Sequence, residues 1–279
     1  MKDRRLIGSL ILFTATLIWG LAYSIQSISS ENLGPFTVVF FKGLGGVFLL
    51  PLLLKRNHQF TRNEILSGIA IGTFSFLGCF FQQLGIVSST VSKASFITTL
   101  YIIFVPLIER LFGKKVSAKI LISVGIALLG LYFLCFSGNE TFGIGDLYLL
   151  ICSIFFAIQI ILIDRYTREY DSLALTFIAQ TTIVVFAGVF MLVMERPDMK
   201  AISDSIVSII YMVFISGMIA QTFQVVFQKD VGPSLASLIM SFESVFGALF
   251  GWIILAQRLN IKEIFGCILV FIAILLAES

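Results

Sequence analysis

Apolar stretch follows apolar stretch along nearly the whole of this chain, each long enough to cross a bilayer. A helix needs about 20 residues to do so. Runs broken by charges, Gly, Pro or polar clusters predict ten such helices, at roughly 6–26, 35–54, 65–85, 92–112, 117–136, 145–164, 172–194, 203–227, 234–256 and 262–277. Ten spans take about 200 of the 279 residues and leave only short loops, so no soluble domain fits. A barrel would show alternating short strands, and in hydrocarbon a helix satisfies its own backbone groups. The composition, 58% hydrophobic and 13% charged, agrees; soluble domains carry about a quarter charged residues. The expectation is an all-α polytopic membrane protein. A soluble globule, a disulfide scaffold, a disordered tail and a nucleic-acid binder are excluded.

Basic residues set the orientation. With the N-terminus inside, 13 of the 19 Lys and Arg fall in cytoplasmic segments and 5 in outer ones, with Lys42 inside a helix. This bias predicts both termini in the cytoplasm of a multi-pass protein of the cell membrane (bacterial inner membrane). The basic start and Ala22-Tyr23-Ser24 resemble a signal peptide, but the apolar run exceeds a usual signal core and is read as a retained span. Cys79, Cys135, Cys152 and Cys267 show no CxxC spacing and read as reduced, small hydrophobes.

The sequence also resembles itself at about half its length. Ala94-Ser95-Phe96-Ile97 recurs as Ala236-Ser237-Leu238-Ile239, a shift of 142 that also carries Gln82 onto Gln224 and Tyr101 onto Glu243. Trp19-Gly20 falls on Phe156-Ala157 at a shift of 137, and Lys115 and Arg258 open similar polar turns. A duplication into five-helix halves, 1–138 and 139–279, follows. Five being odd, the second half enters from the opposite face. Two inverted repeats then enclose a central site with a gate toward each side, the arrangement of alternating access.

At these residues the chain resembles the EamA-type drug/metabolite transporters. Gln82-Gln83-Leu84-Gly85-Ile86 through Lys93–Tyr101 and Phe104-Val105-Pro106-Leu107 is similar to their first half. Gly232-Pro233-Ser234-Leu235-Ala236-Ser237-Leu238-Ile239, Phe242-Glu243-Ser244-Val245-Phe246 and Leu255-Ala256-Gln257-Arg258-Leu259 are similar to the second, and Trp19-Gly20 fits as well. The resemblance implies ten helices, inverted repeats, and export or exchange of small metabolites. The chain departs from the pattern where relatives often carry Glu-Pro (here Glu243-Ser244), Gly-Glu-Arg (here Ala256-Gln257-Arg258) and an Arg in the second helix (here Lys42). Without Pro at 244 the ninth helix is expected to be straight.

The candidate substrate-binding set is Trp19, Tyr23, Lys42, Gln82, Tyr101, Gln224 and Glu243. An intramembrane carboxylate is costly unless paired, protonated or facing water, so Glu243 is either a proton-coupling group, a ligand for a substrate amine or a structural carboxylate. Lys42 is its candidate counter-charge, a ligand for a substrate carboxylate, or a snorkelling side chain. Gln82, Gln83, Gln159, Gln180, Gln221 and Gln224 must turn inward, as cavity lining or as interhelical glue. Trp19, Tyr23 and Tyr101 offer aromatic faces or form interfacial belts. Gly68-x-x-x-Gly72 and Gly247-x-x-x-Gly251 permit close helix contact. Pro106 is expected to bend the fourth helix just past Tyr101, giving Pro106, Gly247 and Gly251 as gate or hinge candidates.

An intramembrane enzyme fits poorly: His58, the one histidine, lies in a predicted loop, and no HExxH, nucleotide loop or metal-ligand cluster occurs. No cofactor or metal is expected. The partners are a small-molecule substrate, membrane lipid and protons as coupling ion. The favoured function is a gradient-driven exporter or exchanger of a small polar or amphipathic metabolite such as an amino acid. The runner-up is an exchanger or importer of a nucleobase-like or vitamin-like aromatic solute.

Overall fold

The computed structural model describes residues 2–54, 58–135, 143–256 and 261–278. Lys55, Arg56 and Arg258, counted for orientation, and Gln257 and Leu259 of the second motif lie outside them. Every regular element among the described residues is helical. The chain opens with α1 (Lys2–Ser29), α2 (Pro35–Leu53) and α3 (Arg62–Val87). Pro35 occupies the first turn of α2, where a missing N–H is harmless. Thr61 caps α3 by accepting from the Glu64 N–H at 3.2 Å. Next come α4 (Val91–Thr98), α5 (Tyr101–Leu111), α6 (Ala118–Cys135), α7 (Ile144–Tyr166) and α8 (Ser172–Phe190), the last extended by a π-helical turn, Met191–Glu195. Short α9 (Met199–Asp204) and α10 (Ile206–Ile210) lead through a second π-helical segment, Tyr211–Ala220, into α11 (Gln221–Val231). The remaining helices are α12 (Pro233–Met240), α13 (Glu243–Leu255) and α14 (Ile261–Glu278).

Among the described residues eight stretches are long and apolar enough to cross a membrane: Asp3–Ser29, Pro35–Leu53, Arg62–Val87, Val91–Leu111, Ile144–Tyr166, Ser172–Glu195, Ile206–Val231 and Pro233–Leu255. The other two predicted spans fall on α6 and α14, whose apolar stretches, Ala118–Gly130 and Ile264–Ala277, are shorter.

Two of the eight are interrupted near their middles, and this corrects two expectations. The ninth predicted helix is not straight: it breaks at Ser241–Phe242 although Pro is absent. The fourth breaks at Thr99–Leu100, ahead of Tyr101, whereas Pro106 lies inside α5. The two breaks have the same bonding. Leu100, Ile102 and Ile103 donate to the carbonyls of Ile97, Thr99 and Leu100; Phe242, Ser244 and Val245 donate to those of Ile239, Ser241 and Phe242. Each is a tightened i→i−3 turn. Hydroxyls explain them: Thr99 Oγ1 donates to Phe96 O and Ser241 Oγ to Leu238 O, both at 2.7 Å. Such back-bonding competes with the helical ladder and bends it.

Packing brings these breaks to the centre. α3 lies against α7 and α8, α2 against α8 and the Tyr211–Ala220 segment, α1 against α13 and α11, and α6 against α14. The largest core cluster joins α1, α4, α5, α7, α12 and α13 with α6, α14 and the end of α3. Gly68 and Gly72 act in packing: a Cβ on either comes within 2.6 Å of Ile178 or Ala179 of α8. Gly247, a predicted hinge, is likewise seated where a Cβ comes 2.8 Å from Ser95 Cβ of α4. The closest approach is Gly217, where a Cβ would meet the Lys42 carbonyl oxygen of α2.

Candidate functional site

All seven predicted substrate-binding residues line one cavity among the spans. α1 contributes Trp19 and Tyr23, α2 Lys42, α3 Gln82, α5 Tyr101, α11 Gln224 and α13 Glu243. Pro106, Gly247 and Gly251 stand outside its wall. The cavity has a volume of about 50 Å³. A water needs roughly 10–15 Å³ by this measure, so this is a narrow chamber for a few waters or one compact solute group.

The two helix breaks place its central groups. Tyr101 and Glu243 each begin a half-helix, and Tyr101 Oη donates to Glu243 Oε1 at 3.2 Å. Tyr23 Oη donates to the same oxygen at 3.4 Å, and Gln82 Nε2 donates to Tyr23 Oη at 3.0 Å. Glu243 also lies in the first turn of α13, where the positive end of the helix dipole favours negative charge. Its buried position is therefore supported by two phenols and a helix end, with the charge of Lys42 acting across the cavity. Among the described residues Lys42 forms no ion pair, although it faces the same cavity. Gln82 Oε1 is buried without a hydrogen-bond partner, which leaves an unspent acceptor at the wall.

The amides divide between lining and glue. Gln159, Gln221 and Gln224 line the chamber. Gln180 instead donates to Gly217 O across the α8 contact, and Gln83 donates to Ser30 Oγ at 2.6 Å. Trp19 Nε1 donates to Ser216 O at 3.3 Å, fixing the indole and leaving its ring against the cavity. Further lining comes from Ala22, Gln26, Cys79, Phe156, Ile160 and Met240. The helical spacing 19, 22, 23, 26 on α1 carries a signal for Ala22 and Gln26. Ile160 and Met240 are apolar residues in apolar spans and carry none.

A bundle of apolar, membrane-length helices around a chamber lined by several polar side chains defines a multi-pass membrane protein. The chain belongs to the EamA-like transporter family, whose profile matches it twice, over residues 6–136 and 143–278. A protein of Archaeoglobus fulgidus named as an uncharacterized transporter is 32% identical over 279 residues, covering 99% of this chain and 87% of its own. Another of that name from Helicobacter pylori is 22% identical, covering 97% and 94%. A solved crystal structure shares the fold with a TM-score of 0.79 at 16% identity, covering 97% of each chain. The protein is thus a membrane transporter of this family.

Proposed function

We propose that the protein is a secondary active exporter or exchanger of a small polar or amphipathic metabolite such as an amino acid. Ten spans form two inverted five-helix repeats, 1–138 and 139–279, with both termini cytoplasmic in the cell membrane. Solute binds between the repeats at the seven lining residues, Glu243 exchanges a proton in the cycle, and alternating access exposes the chamber to one side at a time.

The observation that carries this reading is the bond from Tyr101 to Glu243. The two residues are 142 positions apart, the shift of the internal repeat, and they meet in the chamber. The rest of the wall supports it. Trp19, Ala22 and Tyr23 stand 137 positions before Phe156, Gln159 and Ile160, and Cys79 and Gln82 stand 142 before Gln221 and Gln224. All ten are lining residues. Packing pairs too: α3 against α7 has its counterpart in α1 against α11, and α3 against α8 in α2 against Tyr211–Ala220. Inverted repeats produce this pairing around a central site. The ion pairs of Asp164 with Lys114 and Arg168 join loops that the basic-residue bias assigns to one side.

A metabolite panel tests the reading. Ligands that bind the folded protein raise its melting temperature by mass action. Amino acids that stabilise the purified protein should then exchange in counterflow in proteoliposomes. No stabilisation and no counterflow across the twenty standard amino acids would remove that substrate class.

A further inference from the structure

We propose that the solute passes between the chamber and the cytoplasm along a row of amides on α11, and that a cluster of four charged residues at its end is the gate that closes this route. The inference rests on the reading above for the sidedness and for the chamber as the solute site.

The row begins in the chamber wall and leaves it. Gln221 Nε2 donates to Gln224 Oε1 at 3.4 Å, and Gln224 Nε2 donates to Gln228 Oε1 at 3.2 Å. Gln228 Nε2 ends the row on the carbonyl of Ile160 at 2.7 Å. The three amides recur at three and four residues, so they share one face of α11 and cover about 10 Å of helix. Gln224 is 3% exposed and Gln228 0%. Apolar side chains in these places would seal the helices at least as well. A buried row of amides instead offers a passing polar solute exchangeable donors and acceptors at each step.

The opposite direction lacks this. At the repeat shift of 142, the positions matching 221, 224 and 228 hold Cys79, Gln82 and Ile86, so the corresponding row ends in a buried aliphatic residue. The amide route therefore belongs to one side.

The cluster sits where the row runs out. Arg168 Nη2 donates to Asp164 Oδ1 at 2.7 Å and to the carbonyl of Lys229, the residue after Gln228, at 3.4 Å. Lys114 Nζ lies 3.5 Å from Asp164 Oδ2 and 3.4 Å from Glu109 Oε1. Glu109 also accepts from Ser234 Oγ of α12. These contacts tie the ends of α5, α7 and α11 to the start of α12. The hydrogen bond to Asp164 raises the Arg168 guanidinium above its ordinary value, so the guanidinium stays charged. The carboxylates are buried while Lys114 and Arg168 are more than half exposed. Separating them admits water to both partners, which keeps the opening cost low, as a gate requires.

Cys79 provides the test, since it is a thiol in the chamber wall. A small membrane-impermeant methanethiosulfonate is added to inside-out vesicles, with Cys79→Ser as the blank. Asp164→Asn and Arg168→Gln are expected to raise the Cys79 modification rate by about tenfold, the population shift that follows when the closed state loses a charge-assisted contact. Adding Gln228→Leu to Asp164→Asn is expected to return the rate to that of the unaltered protein. Unchanged rates in both single variants, with counterflow retained, would overturn the gate and leave the transport reading standing. Fast modification persisting in the double variant would overturn the amide route. Cys79 that is modified from neither side, in a protein that still transports, would instead count against the chamber itself.

Discussion

Glu243→Gln is the sharpest test of how the chamber works. The amide has nearly the shape of the carboxylate, and its oxygen still accepts from Tyr101 and Tyr23, now held at 3.2 and 3.4 Å. Each bond loses its charge assistance, worth about 1 kcal/mol. The substitution also removes a buried carboxylate, whose desolvation costs several kcal/mol. The two terms oppose each other, so the melting temperature is expected to hold or rise. Transport is affected differently. A gradient of about one pH unit supplies about 1.4 kcal/mol per proton, enough to concentrate a neutral solute about tenfold at one-for-one exchange. Proteoliposomes loaded with a radiolabelled amino acid found by thermal shift, with an imposed pH gradient, measure this directly. The unaltered protein is expected to reach that accumulation, and Glu243→Gln to equilibrate the solute without concentrating it while still catalysing counterflow. Equal accumulation by both proteins would refute proton coupling through Glu243.

Three further outcomes concern stability and are read by thermal unfolding in detergent. Glu195 accepts from the Phe36 and Thr37 N–H groups and from Thr37 Oγ1, all at 2.7 Å, capping α2 from a distant loop; Glu195→Ala is expected to cost about 1–2 kcal/mol. Ala256 ends α13 with φ 54°, in the left-handed region that disfavours a Cβ; Ala256→Gly is expected to stabilise by roughly 0.5–1 kcal/mol. Gly217→Ala drives a methyl into the Lys42 carbonyl; a loss of about 3 kcal/mol or more is expected, and an unchanged melting temperature would mean that α2 and the Tyr211–Ala220 segment are not packed so tightly.

The chamber was legible because polar side chains are rare in apolar spans. Gln82, Gln224, Tyr101 and Glu243 stood out against Leu, Ile and Phe, and burial then left them nowhere to point but inward. Ile160 and Met240 had no such contrast. The helix breaks are not legible in this way: proline is the expected agent of an interrupted ladder, whereas Thr99 and Ser241 interrupt it with hydroxyls that also occur harmlessly elsewhere. Lys42 is expected as the counter-charge of Glu243, and it acts across the cavity rather than through a direct ion pair. Position along a helix does not reveal the distance between two side chains, and the phenols, which the pattern treated as stacking faces, proved to be the donors. The cap that Glu195 supplies joins residues 158 and 159 positions apart, beyond any local pattern.

Under the proposed duplication, Tyr101 and Glu243 gain a significance that neither has singly. Residues related by a twofold axis touch their own counterparts only next to that axis, so this pair marks its position. An ancestral pair of identical residues there faces an electrostatic difficulty. Two carboxylates at hydrogen-bond distance repel unless they share a proton, and two phenols leave no charge for a proton cycle to act on. Divergence into one acid and one phenol resolves it: the hydroxyl donates, the carboxylate accepts, and a single ionisable group remains at the centre of symmetry. The same divergence separates Cys79 and Ile86 from Gln221 and Gln228 along the neighbouring helices. Under the proposed duplication the repeats thus keep a common frame where backbone bonding sets the breaks, and differ where the chamber holds a single carboxylate and the proposed polar route.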